Sequence, residues 1–161
     1  MLTLFGAFTL APELPRIPVA GATASDWNHS SFWAEPWGMS GVHKGIDIFG
    51  RMGTPVVAPT YGLVVFRGTL PLGGNVVAIL GPKLRLHYFA HLGAADALPG
   101  TPVVAGTRIG TVGDSGNARG KPSHLHYAIL SLIPYPWKAD GSTQGWKKMF
   151  FINPSNWLGR A

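Results

Sequence analysis

Gly53-Thr54-Pro55-Val56-Val57-Ala58 returns unchanged as Gly100-Thr101-Pro102-Val103-Val104-Ala105, forty-seven residues later. Each copy is a short β-branched run, and each leads through another glycine to a second apolar run, Gly62 to Val65 and Gly110 to Val112. A repeated unit of this kind predicts a sheet built from two related, hairpin-like halves. Between the copies, Asn75 to Leu80 and Leu84 to Leu92 are β-rich runs joined at Gly81-Pro82-Lys83, a turn by composition, and read as a central hairpin. Charged residues make up 12% of the chain, and its 22 glycines and 14 prolines set it apart from the Ala/Glu/Lys-rich profile of a helical protein. The expected fold class is all-β: an antiparallel sheet with duplicated hairpin units and long loops that form a groove.

A chain of 161 residues suffices for one core and is short for two ordinary domains. Residues 1–17 read as an N-terminal extension and residues 18–161 as the domain. Met1 to Ala11 is apolar apart from its threonines, shorter than the ~20 residues that span a bilayer, and lacks a basic leader. It reads equally as a weak export signal or as a strand or helix packed on the domain. Three prolines from Pro12 to Pro18 forbid regular pairing and mark an extended lead-in. Cysteine is absent, which excludes a disulfide framework and a Cys-rich zinc knuckle. The net charge of +6 favours an anionic partner such as a cell-wall polymer, a membrane surface or nucleic acid. Basic residues scattered from Arg16 to Arg160, without an aromatic-basic module, argue against a nucleic-acid reader.

The chemistry concentrates in His43-Lys44-Gly45-Ile46-Asp47 and His124-Leu125-His126. In an extended strand His124 and His126 share one face while Leu125 and Tyr127 share the other. The same parity places His43 with Asp47 and leaves Ile46 and Ile48 for the opposite face, a site laid over a core. Two imidazoles and one carboxylate are what a catalytic zinc ion takes from a protein, with a fourth tetrahedral position left for water. The residues alone offer four candidates for three places. A surplus histidine suits the proton transfer and oxyanion stabilisation that hydrolysis needs.

Other segments frame this site. Ser25 to Gly41 carries Trp27, Trp33 and Trp37 without periodicity and reads as a long loop whose aromatics form a groove wall or pack back on the domain. His29 in that loop is left out of the site. Gly113 to Ser123 is glycine-rich but lacks the Gly-Lys-Ser/Thr ending of a phosphate loop, and reads as a groove rim that lets a peptide backbone approach. On the second run of the central hairpin, alternation puts His87, Phe89 and His91 on one face toward the site and turns Tyr88 away from it. Four residues of strand hold His87 and His91 about 13 Å apart, too far for both to serve one reacting group.

The motifs HKGID, Phe89-Ala90-His91-Leu92 and HLH, in this order, resemble those of the M23 zinc metallopeptidases, the lysostaphin-type and LytM-type peptidoglycan endopeptidases. The likeness runs from about Pro18 to Pro154. It implies a duplicated antiparallel β architecture, Zn2+ held by His43, Asp47 and His126, and catalytic roles for His91 and His124, one as general base and the pair stabilising the oxyanion. The implied reaction is hydrolysis of peptide stems or cross-links of peptidoglycan, by an exported protein of the periplasm or cell envelope, expected as a monomer. Phe89 stands where the family usually has Tyr, and Ala128 where a Glu often follows the HLH motif. The competing readings are a non-catalytic M23-like regulator or cell-wall-binding protein, which typically lacks zinc ligands, and a module whose histidines serve structure alone.

Overall fold

The repeated hexapeptides become paired strands, though each finds its partner in the other copy. In the computed structural model residues 13–159 are described, and the alternatives for Met1 to Ala11 fall outside them. Nine strands are found among these residues: β1 Ile46–Phe49, β2 Pro55–Val57, β3 Gly62–Leu70, β4 Gly74–Gly81, β5 Arg85–Ala95, β6 Pro102–Val103, β7 Arg108–Val112, β8 His124–Ser131 and β9 Phe151–Ile152. All pairings are antiparallel, in the order β1-β8-β5-β4-β3-β6, with β7 joining β2 to β5 and β9 beside β8. The expected all-β antiparallel class holds, and so does the central hairpin, β4–β5.

In the duplicated part, β2 pairs with β7 and β6 pairs with β3, so the two units exchange strands. The exchange repeats bond for bond. Gly53 N–H donates to Val112 O and Val112 N–H to Thr54 O, while Gly100 N–H donates to Val64 O and Val64 N–H to Thr101 O. Both Gly53 and Gly100 sit at φ +85°, a left-handed turn conformation that glycine adopts without steric cost. Identical local sequence thus made identical turns, while the partner of each strand was set by the tertiary fold.

Strands β1, β8 and β5 lie side by side and alternate strictly over most of their length. Ile46, Ile48, Leu125, Tyr127, Ile129 and Phe89 point into the core and are fully buried. Asp47, His124, His126, Ala128, Tyr88 and Ala90 line a groove on the opposite face. The core is closed on its far side by the short helix Pro154–Leu158, whose N-terminus is capped by the Asn153 side chain accepting from Ser155 N–H. The lead-in lies against the sheet: Arg16 N–H donates to Pro59 O, Ile17 packs on the core, and Glu13 pairs with Arg85. Among the described residues no helix is long and apolar enough to cross a membrane.

Candidate metal centre

Antiparallel register brings the two motifs together. Asp47 on β1 lies directly opposite His126 on β8, and His126 lies opposite Ala90 on β5. His43 departs from the strand parity expected of it: β1 starts only at Ile46, and His43 reaches in from the preceding turn. That turn is fastened by His43 N–H to Ala34 O and by Trp33 N–H to His43 O. Gly45 permits the approach, because a Cβ there would collide with Tyr127 O and crowd the His126 imidazole.

The His43 ring is 1% exposed and its Nδ1 lies 3.0 Å from Ser31 O. A carbonyl only accepts, so Nδ1 carries the hydrogen and, in the neutral ring, Nε2 is a bare lone pair. That lone pair stands 3.1 Å from Asp47 Oδ1 and 3.1 Å from His126 Nδ1, and the latter two atoms are 2.9 Å apart. Two facing lone pairs at this distance repel unless a cation lies between them. Ligand atoms at ~2.0–2.1 Å from a tetrahedral zinc ion are separated by roughly 3.3 Å, close to the spacing here. The donor set therefore fits a divalent metal, and no fourth protein ligand joins these three among the described residues. Burial works to raise the Asp47 pKa, but its close contacts with His126 first and then His43 overcome it and hold the carboxyl well below its usual range. Burial also lowers the His126 pKa, a shift that favours the neutral ring a metal needs.

His91 and His124 flank this trio. Their ring centroids lie 5.1 Å apart, and that of His91 is 5.9 Å from that of His126. Each Nδ1 faces a backbone carbonyl, His91 to Ser115 O at 2.9 Å and His124 to Pro122 O at 2.7 Å, so each Nε2 is left free of its hydrogen. His124 Nε2 is 3.9 Å from Asp47 Oδ1. Burial first, then the nearby His126, pushes the His91 pKa down to about 4.

The alternation expected on β5 breaks at His91. His87 and Phe89 face the core: His87 is fully buried, with Nδ1 2.7 Å from the Tyr127 hydroxyl. His91 nevertheless faces the groove, because its backbone adopts φ +62° and its N–H turns to Gly73 O beside a register shift between β4 and β5. One left-handed residue inverts the parity, a strained conformation of the kind that functional sites retain. The same alternation means that Tyr88, expected to turn away, lines the groove, its ring edge-on to His126 at 6.4 Å.

The groove has a volume of about 710 Å³. The glycine-rich segment supplies Asn117, Ala118, Lys121 and Pro122 to its rim, as expected, and Ala128 lies in its floor. The tryptophans divide. Trp27 is buried in the core, Trp33 packs edge-on against Phe151, and Trp37 alone of the three lines the groove, stacked on His43 at 3.9 Å between centroids. His29 lies outside the site, with Nδ1 2.7 Å from Ser155 Oγ. Sequence reading missed the carbonyls of Ser31, Ser115 and Pro122 that orient the three histidines, since any residue type carries a carbonyl. It also missed the stacking of Trp37, whose aromatic character was the one signal present.

Similarity to known proteins agrees with this geometry. The chain is 36% identical over 129 residues to the L-Ala–D-Glu endopeptidase of Bacillus subtilis, covering 70% of this chain and 40% of that protein. It is 34% identical over 88 residues to the peptidoglycan DD-endopeptidase ShyA of Vibrio cholerae, covering 55% of this chain and 20% of the other. It thus spans less than half the length of these curated relatives. Among solved structures, the LytM chain from Ruminococcus gnavus superposes with a TM-score of 0.69 at 26% identity, over 98% of this chain and 64% of that one. The lysostaphin catalytic domain from Staphylococcus simulans gives 0.66 at 24% identity, over 84% and 95%, which speaks for the fold. The family model Peptidase family M23 matches residues 41–135. That match covers more than half of the sequence and contains all five residues of the site, and the chain belongs to peptidase family M23.

Proposed function

We propose that this chain is a zinc-dependent endopeptidase that hydrolyses peptide stems or cross-links of bacterial peptidoglycan. The observation that carries the reading is the convergence of His43 Nε2, Asp47 Oδ1 and His126 Nδ1 to within 3.1 Å, beside two further histidines whose Nε2 atoms are free. His43, Asp47 and His126 would hold the ion. Zinc held there would supply an acidified water and polarisation of the scissile carbonyl. One of His91 and His124 takes the proton at Nε2 as general base and the pair stabilises the oxyanion, each fixed in tautomer by its carbonyl partner. Trp37 on one side and the Asn117 to Pro122 rim on the other confine the peptide to the groove. Of the relatives named above, one is a peptidoglycan DD-endopeptidase and another an L-Ala–D-Glu endopeptidase, which supports the substrate class.

Peptidoglycan lies outside the cytoplasmic membrane, so this reading carries with it an exported protein of the periplasm or cell envelope. The net charge of +6 suits an anionic wall polymer as a secondary partner. All five site residues come from one chain, which suits a monomer. The intact ligand set weighs against a non-catalytic regulator. Digestion of purified peptidoglycan by the zinc-loaded protein, with mass analysis of the released peptides, tests the proposal: new peptide termini are expected, and intact muropeptides would overturn it.

A further inference from the structure

Some basic side chains lie away from the groove and pair with carboxylates, others, Arg51, Arg67 and Arg119 among them, neither line the groove nor pair among the described residues, and two line the groove itself. Away from the groove, Lys148 pairs with Asp140, Arg108 with Asp96, and both Lys83 and Arg85 with Glu13. Lys44 and Lys121, which line the groove, have no carboxylate within 4.0 Å among the described residues, and Lys147, outside the lining but close enough for its charge to act on Lys44, donates to the neutral Gln144 Oε1 at 3.0 Å. Among the described residues the sole carboxylate lining the groove is Asp47, already engaged by His43 and His126. Lys44 is half-buried beside the site, and its ammonium donates to Ser40 O at 2.9 Å, which leaves two of its three N–H groups for another acceptor. A partly desolvated cation without a counter-charge is unfavourable, and an incoming anion relieves it. Metal binding at the Asp47 trio would add positive charge to the same groove.

We infer that the groove selects a peptide bearing a free carboxylate near the scissile bond, received by Lys44 with a contribution from Lys121, which also lines the groove. This rests on the endopeptidase reading above and narrows its substrate. An acidic stem peptide is favoured, and a neutral oligoglycine bridge gains nothing from these two lysines. The carboxylate belongs either to an acidic residue within the peptide or to its C-terminus, and both present the same anion to an ammonium group.

The test uses the zinc-loaded protein and three synthetic stem peptides: one with both carboxylates free, one amidated at the internal acidic residue, and one amidated at the C-terminus. The wild type is expected to hydrolyse the free peptide with kcat/KM ~10-fold above one of the amides, and which amide suffers identifies the source. Lys44→Gln keeps a donor for Ser40 O and should reduce that ratio to ~2-fold or less, with Lys121→Gln reducing it by a smaller factor. In the wild type the ratio should also shrink on going from low salt to ~1 M, where the Debye length falls to ~3 Å. Equal rates on all three peptides, a ratio unchanged in Lys44→Gln, or a ratio indifferent to salt would each overturn the inference while leaving the peptidase intact. Failure of the wild type to cleave any peptide or whole peptidoglycan would overturn the endopeptidase reading itself, and this inference with it.

Discussion

Strands β1, β8 and β5 carry two faces with opposite chemistry, and neighbouring residues on one strand serve different ends. On the inner face Ile46, Leu125, Tyr127 and Phe89 are sealed from water and pack on one another. On the outer face Asp47 Oδ1 gathers His126 Nδ1 at 2.9 Å and His124 Nε2 at 3.9 Å and meets the bare Nε2 of His43 at 3.1 Å, an arrangement that costs stability unless a cation joins it. The difference teaches where each property resides. Removing an inner residue should weaken the fold and leave the site's groups intact, whereas removing an outer residue should abolish chemistry and leave the fold nearly unchanged.

The largest expected effect is on the outer face. Asp47→Ala and His126→Ala should reduce hydrolysis to the background of the assay while their thermal midpoints in the metal-free form stay close to wild type. A large fall in either midpoint would show that these side chains hold the fold together and would blur the contrast. Next comes the inner face: Phe89→Ala, one position from Tyr88, should cost about 3–5 kcal/mol in denaturant unfolding, because a fully buried aromatic leaves a cavity. At temperatures where that variant is folded, its zinc-loaded turnover should remain within a few-fold of wild type.

Returning to the outer face, His91→Ala and His124→Ala should keep the metal and lose hydrolysis by ~10²-fold or more, the usual scale of a lost proton-transfer group. Wild-type turnover in either would remove that residue from the proposed chemistry.

Histidine content itself sharpens the comparison, since His87 is an inner-face histidine with no access to the groove. Burial first, then the Arg85 charge, lowers its pKa to about 3. The unfolded chain has an ordinary histidine there, with pKa near ~6.5. Between these values the unfolded state binds the extra proton, so the stability contributed by neutral His87 is present above ~6.5 and is lost as pH falls toward 3. His87→Gln should therefore flatten the fall in stability between pH 6.5 and 4, read as the change in denaturant midpoint, and an unaltered slope would show that other groups govern acid unfolding. The smallest expected effect is long-range. If scattered surface charge assists encounter with an anionic wall, binding to whole sacculi should weaken several-fold as salt rises toward ~1 M, while hydrolysis of a short neutral peptide changes little.

Alternation made much of this legible beforehand. His124-Leu125-His126-Tyr127 reads as one polar and one apolar face, and the strand pairing of Asp47 with His126 turns that pattern into a candidate ligand set. The all-β class followed from repeated glycine-bounded apolar runs. Three features escaped for the same reason: they depend on contacts made by distant segments. The left-handed backbone of His91 is stabilised by Gly73 O and a register shift, so period-two reasoning misplaced Tyr88 along with it. The pairing of β2 with β7 could not be read from two identical hexapeptides, which serve equally well as partners for either second run. His43 lies outside its strand because the turn at Gly45 bends around the Tyr127 backbone, a proximity that only the folded sheet creates.

The most direct test of the two-face account is metal stoichiometry. Zinc per chain should be measured by elemental analysis after exhaustive dialysis of wild type, Asp47→Ala, His126→Ala and Phe89→Ala. The account predicts one equivalent in wild type and in folded Phe89→Ala, and a substoichiometric amount in the two outer-face variants, because two ligands of three make an incomplete site. Full occupancy in both Asp47→Ala and His126→Ala, or none in wild type, would contradict it.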